Sequence, residues 1–179
     1  MEIAGERIRL TQVTEADLSW VSELECNPEV WTYEESIEAD REKATAKYAD
    51  QLNSVHHCDY IILLPGETEA VPIGIAQLWS YVEHRRSWEL GFGLLPQYQG
   101  RGYGSEAVVL LLDCAFRSLG AHKVVGMCNA HNVRSIRLLE QVGMQREGIF
   151  RQELQWKEQW CDQYFYALLE SEWLSNTSG

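Results

Sequence analysis

The sequence predicts one mixed α/β (α+β) domain, a central mixed, mostly antiparallel sheet of about seven strands flanked by about four helices. Three observations predict it. The 179 residues suit one domain of ordinary size, and 45% hydrophobic with 11% aromatic residues is ample material for a core. Strand-like segments follow one another in series and then alternate with strongly amphipathic helical stretches. No internal repeat, low-complexity tract or long linker divides residues 1–179, which therefore read as a single unit.

The elements follow in order. A short strand is expected around Arg7 to Leu10, and Thr14 with Asp17 three residues later opens a helix carrying Leu18, Val21 and Leu24 at helical spacing. Asn27-Pro28 breaks it. A second helix is expected from Ser36 to Asn53, rich in Ala, Glu and Lys but thin in apolar face. Strands at Tyr60 to Leu64, Ile73 to Tyr81 and Trp88 to Leu95, the first two separated by a turn at Pro65 to Glu67, form an antiparallel meander. Tyr103 to Leu119 is the clearest helix, with Ala107, Val108, Leu111, Leu112, Ala115, Phe116 and Leu119 on one stripe and Gly120 ending it. A buried strand at Lys123 to Cys128, a helix at Asn132 to Val142 closed by Gly143, and strands near Met144 to Gln155 and Gln163 to Leu169 complete the chain.

Composition excludes several classes. A net charge of −12 argues against nucleic acid, whose binding draws on Lys and Arg, and suits a cationic partner better. No apolar run reaches the roughly 18 residues of a membrane span, and the start lacks a signal-peptide pattern, so no membrane partner and a cytoplasmic location are expected. Five scattered cysteines without a Cys-x-x-Cys pair read as reduced thiols, and His56-His57-Cys58 lacks a second ligand cluster, so no metal is expected. Asn176-Thr-Ser is formally a glycosylation sequon without meaning in a chain that is not secreted.

Chemistry concentrates where a strand meets the best helix through Gln99-Gly-Arg-Gly-Tyr-Gly104, followed by Ser105. A helix start offers unpaired N–H groups and partial positive charge, and glycines at 100, 102 and 104 let a diphosphate approach the backbone. A P-loop would need Gly-Lys-Ser/Thr where Gly102-Tyr-Gly-Ser stands, and a dinucleotide fingerprint fails because Ser105 takes its last glycine position. Gly91 and Gly93 in the preceding strand fit a bulge or a close backbone approach.

Gln99-Gly-Arg-Gly-Tyr-Gly104, preceded by Leu94-Leu95-Pro96, resembles the diphosphate-wrapping Gln/Arg-x-x-Gly-x-Gly/Ala motif of GNAT N-acetyltransferases, and Asn129 to Met144 resembles that family's Asn-x-x-Ser/Ala helix with a following Gly-Met. Thr14 to Leu18, Asn27 to Val30, Pro72-Ile-Gly74 and Asp162 to Leu169 are similar to the RimJ/RimL-type, ribosomal-protein N-terminal acetyltransferase subgroup. The resemblance implies a splayed sheet and acetyl-CoA as cosubstrate. It assigns the cofactor to Phe92, Gly93 and Leu94 along the bulged strand, to Gln99, Gly100, Arg101, Gly102, Tyr103, Gly104 and Ser105 at the loop, and to Asn132. Asn132 is also a good helix N-cap whatever the function. The implied acceptor is a primary amine, either a protein N-terminus or a small cationic amine, and a homodimer is left open.

Transfer to an amine needs a base, a stabilised oxyanion and a proton for the departing thiolate. The resemblance puts the oxyanion at a backbone N–H near Leu90 to Phe92. Glu89 is the leading base, since it alternates with Trp88 and Leu90 and can face an acceptor cleft; an ordinary cross-strand Glu is the other reading, and Glu83, His84 and Asp162 are held in reserve. The family's Tyr acid, seven residues after Asn132, is replaced by Leu139. Ser135, three residues after Asn132, occupies a position assigned as the acid in some RimL-type enzymes, packing or contact with the cofactor being the other reading of a helical serine, and Tyr103, Tyr164 and Tyr166 are further options. Cys114 and Cys128 fall inside apolar elements and read as packing rather than nucleophiles. Trp31, Tyr33, Glu34 and Glu35 could hold a cation by ring faces and carboxylates, or pack and face water. The competing function is a non-catalytic domain that binds acetyl-CoA as a sensor or scaffold.

Overall fold

The computed structural model describes residues 2–66 and 69–177, with side chains described through Ser175. Glu67 of the expected turn and the sequon side chains lie outside them. Among the described residues, eight strands form one sheet: β1 (Glu2–Ala4), β2 (Arg9–Gln12), β3 (His57–Leu64), β4 (Val71–Val82), β5 (Ser87–Leu94), β6 (Lys123–Asn129), β7 (Gln145–Trp156) and β8 (Gln159–Leu169). Their spatial order is β1-β2-β3-β4-β5-β6-β8-β7. Neighbours are antiparallel except β5 and β6, and a parallel pair needs a crossover, which the helix α3 (Tyr103–Asp113) supplies.

The remaining helices are α1 (Leu18–Glu25), α2 (Arg41–Gln51), α4 (Val133–Gln141) and α5 (Glu170–Thr177). Two cores lie on opposite faces of the sheet. Val21, Leu24 and Tyr48 from α1 and α2 bury against Ile61 and Ile75 on one face. Leu111, Leu112, Leu139 and Trp173 from α3, α4 and α5 bury against Leu78, Leu90 and Val124 on the other. Alternation along each strand dictates this division, since odd and even residues of β5 point to different layers.

The predicted meander, the helix from Tyr103 and the last two strands are present, with particular differences; the structure makes that helix the crossover and pairs those strands as a hairpin. The second helix starts at Arg41 rather than Ser36, because Asp40 caps it by accepting from Glu42 N and Lys43 N. The Thr14–Asp17 capping box opens a short 3₁₀ turn before α1. The long third helix is α-helical only to Asp113 and finishes in a π turn at Cys114–Ser118 before Gly120 at φ 64°. The eighth strand, β1, is three residues long, and α5 has little apolar periodicity, so neither leaves a pattern to read.

Candidate active site

Strand β5 pairs with β4 along its whole length, but with β6 only at Ser87↔Lys123, Trp88↔Val124 and Glu89↔Val125. Beyond Glu89 the two strands diverge, and the sheet opens into a fork. Leu95 N donates to Ile73 O at 2.9 Å, which makes Gly74↔Leu94 a non-hydrogen-bonded pair. The N–H and C=O of Leu94, and of Phe92 two residues earlier, therefore face the fork, whereas those of Gly93 face β4. Gln99 Nε2 takes the Leu94 C=O at 2.9 Å, leaving Phe92 the open peptide groups in the middle of the strand.

No register break interrupts β5 from Trp88 to Leu94, so the glycines there do not mark a bulge. They make room for rings: a Cβ at Gly91 would lie 2.9 Å from Trp79, and one at Gly93 2.7 Å from Trp31. Both glycines flank Glu89 on the α1/α2 face. Phe92 and Leu94 turn to the opposite face, toward Gly104 at the start of α3.

The loop into α3 carries two left-handed residues, Gly100 (φ 72°) and Gly102 (φ 83°), which glycine adopts freely. A Cβ on Gly100 would meet nothing within 4 Å, so this side of the loop is open. Gly102 caps α3 without a side-chain acceptor, and the first-turn N–H groups stay available to a ligand. Arg7, from the β1–β2 connection, donates to Arg101 O at 2.9 Å and to Gly102 O at 3.3 Å. Its Nε is held by Glu106 Oε2 at 2.9 Å, while Glu106 Oε1 accepts Arg7 N at 2.8 Å. Burial by itself would raise the Glu106 carboxyl, but these N–H groups and the Arg7 charge lower it below its usual value. Arg7 and Glu106 carry no local sequence signal, being 99 positions apart.

On the other wall of the fork, Asn132 caps α4 through Oδ1, which accepts Ser135 N at 3.1 Å, and Ser135 is half-buried in that first turn. Arg134, which sequence reasoning passed over, donates to Gln99 Oε1 at 2.7 Å. Gln99 thus spans the fork from Leu94 to α4 with both ends of its amide engaged. Leu139 is buried, with only 2% exposure, in the apolar layer. Tyr166 donates to Glu140 at 2.9 Å, and burial with that contact pushes its hydroxyl up to about 12. Tyr164 lies under the Arg146 guanidinium, and Tyr103 under that of Arg7.

On the α1/α2 face, Glu89 Oε2 accepts from Trp79 Nε1 at 3.1 Å. Burial pushes its carboxyl up to about 7; the Trp79 N–H pulls it down and the charge of Glu34 adds to the rise. Glu34 is itself raised, by desolvation and then by Glu25, but the residue is exposed and solvent screens the effect. Glu35 points elsewhere and accepts Gln155 N at 2.8 Å. The loop from Trp31 to Glu35 is strapped across the open end of the fork. Trp156 of β7 donates to Thr32 O at 2.8 Å and stacks between Tyr33 (5.4 Å) and His131 (5.2 Å), and Asn129 Nδ2 donates to Tyr33 O at 3.1 Å.

The reserve bases lie away from this cleft. Glu83 and His84 occupy the exposed β4–β5 turn at the closed end of the fork, beside a surface hollow lined by Tyr81, Arg85, His122 and Lys123. Asp162 is engaged in holding the β7 irregularity, accepting Gln152 N at 2.9 Å. Burial raises the thiols of Cys114 and Cys128, the latter to about 12, which suits packing and not nucleophilic attack. Among the described residues no group of three or more metal-ligating side chains occurs, and no helix is long and apolar enough to cross a membrane.

Known proteins share this architecture. An acetyltransferase of the GNAT family from Bacillus anthracis superposes with a TM-score of 0.82 at 27% identity, covering 96% of this chain and 100% of that one. A spermidine N-acetyltransferase from Vibrio cholerae in complex with CoA and spermine gives 0.87 at 20% identity over 95% and 99%. The uncharacterized N-acetyltransferase YnaD of Bacillus subtilis (strain 168) is 37% identical over 87 residues, 49% of this chain and about half (51%) of that protein's length. The acetyltransferase (GNAT) domain model matches residues 7–145, well over half of the sequence, and the chain belongs to that family.

Proposed function

We propose that the chain, as one domain over residues 1–179, is an N-acetyltransferase that moves an acetyl group from acetyl-CoA to a primary amine by direct attack on the thioester, with a small cationic amine as the favoured acceptor. The observation that carries this reading is the fork, which makes a slot through the sheet: the glycine loop stands at its α3 side and Glu89 on its α1/α2 side. Gly100, Gly102, Tyr103, Gly104 and Ser105 would hold the diphosphate by backbone N–H groups, and Phe92 the pantetheine arm by its fork-facing peptide. The Vibrio cholerae protein of the same fold is described with CoA and spermine.

The residues divide the chemistry as follows. Glu89, with a carboxyl near 7, takes a proton from the acceptor ammonium directly or through one water. The Phe92 N–H points into the slot where negative charge would develop on the acyl oxygen. Ser135, on the facing wall, is the candidate to protonate the departing sulfur. Glu34 and Glu89 together leave the acceptor face under-neutralised, and the strap over it admits a slender amine more readily than a folded protein surface. The RimJ/RimL-type motifs keep a protein N-terminus as the comparison acceptor. A cytoplasmic location fits five cysteines that are all free.

Thermal melting with CoA tests the ligand: at about one hundred times its Kd it should add roughly 2.7 kcal/mol of stability. No shift overturns the reading. Release of free CoA with spermidine, other diamines and N-terminal peptides then tests the reaction, the polyamines being expected to react fastest. Buried Leu139 in place of the family's Tyr acid favours the sensor reading, which prevails if CoA binds and no amine releases it.

A further inference from the structure

We infer that Arg7 is a positioning residue for the diphosphate loop, an inference that rests on the acetyl-CoA reading of that loop. A trans peptide carries its C=O and N–H on opposite sides. Arg7 holds the Arg101 carbonyl at 2.9 Å, which turns the Gly102 N–H to the opposite, open side, and at 3.3 Å it shares the Gly102 carbonyl with Glu106 N (3.1 Å), whose helical bond fixes the Tyr103 N–H outward as well. Those are the groups an anion would meet. The left-handed φ at Gly102 allows this flip, and a Cβ there would crowd the Arg7 Nη2 at 3.0 Å, so the guanidinium would have to give way.

The guanidinium does not hold this pose alone. Glu106, with its side chain 13% exposed, takes the Arg7 Nε, the Arg7 N–H and, at 3.3 Å, the Ile8 N–H. One carboxylate on the first turn of α3 thus fixes both the backbone and the head of Arg7, and the β1–β2 connection becomes the rear support of the loop. The Arg7 head also lies 5.4 Å from the Tyr103 ring centroid, bringing a full positive charge behind the helix start. A bidentate hold on two carbonyls is something a guanidinium provides and an ammonium does not.

The test is calorimetric binding of CoA to the intact protein and to Arg7→Ala and Arg7→Lys. The alanine variant should raise the Kd for CoA by about tenfold, since charge-assisted contacts that orient the loop are lost. The lysine variant, which keeps the charge without the fork, should remain impaired. The penalty should be confined to ligands bearing the diphosphate: pantetheine, competed against CoA, should lose less than about twofold, and the KM for acetyl-CoA should rise with kcat held. Equal losses for CoA and pantetheine, a falling kcat, or full recovery by lysine would overturn the positioning role. If the unaltered protein binds CoA and Arg7→Ala binds it as well, this inference alone fails; if the unaltered protein binds none, the acetyl-CoA reading fails and takes this inference with it.

Discussion

Around the glycine loop, Glu106 is met by two backbone N–H groups and a guanidinium, and Gln99 is engaged at both ends. Across the sheet, Glu89 accepts one indole N–H and feels the like charge of Glu34. The first region settles its charges before any ligand arrives, and the second leaves negative charge uncompensated. A preformed backbone cradle suits an invariant anionic ligand, whereas an acidic, strapped cleft suits a cation whose arrival lowers those raised carboxyls. On the proposed function, recognition of cosubstrate and acceptor would rest on different physics.

Substitutions can break that contrast. The largest effect on cosubstrate binding is expected at Gly102→Val, where a left-handed φ of 83° and the Arg7 contact both oppose a side chain; CoA binding should fall by at least about a hundredfold, while Arg101→Ala, exposed and bonded through its carbonyl, should lose only a few-fold. Calorimetry reads both, and equal tolerance would remove the loop from the site. Glu89→Gln should lower kcat by about 10² to 10⁴ with CoA affinity intact. Unaltered enzyme should gain kcat/KM as pH rises through about 7, where the carboxylate becomes available, and the variant should lack that limb.

Smaller effects sharpen the comparison. Trp156→Ala removes the stacking between Tyr33 and His131 and should raise the acceptor KM by about tenfold without changing the CoA Kd. Glu34→Gln should raise the KM for a dicationic amine about threefold at low salt and less at high salt. A neutral acceptor responding equally would show that charge is not the reason. Smallest is the stability term. The Glu89 contribution is present below the usual 4.5 and lost as pH rises to about 7, because the folded state keeps its proton longer; that of Glu106 runs oppositely and is lost as pH falls. Melting of Glu89→Gln across this window should be flatter than that of the parent.

The loop, the fork strand and the Asn132 helix were legible because glycine placement and helix periodicity are local signals. Gly91 and Gly93 show the limit of that reading: their presence in a strand was plain, yet the reason is two tryptophans, Trp79 and Trp31, that approach from elsewhere. Gln99 was readable as a motif residue but not as a brace, since Arg134 comes to it from the far wall. Glu34 and Glu35 are adjacent and chemically alike, and only the fold separates a carboxyl whose charge reaches Glu89 from one that ties down β7. The strap through Trp156 and the support by Arg7 depend on pairs more than ninety positions apart, for which no spacing rule exists.

The short seam between β5 and β6 has a mechanical meaning. Three residue pairs join a five-stranded block of sheet, laid down as a continuous meander, to a three-stranded block reached only after the α3 crossover. The crossover side closes a longer loop of chain, so the seam is the joint most open to local unfolding. A ligand lying in the fork touches both blocks and acts as a rivet. Amide exchange at Val124 and Val125 should slow more on CoA binding than at Ile61 and Ile62, and the gap between those two rates measures how much of the sheet's unity the cosubstrate provides.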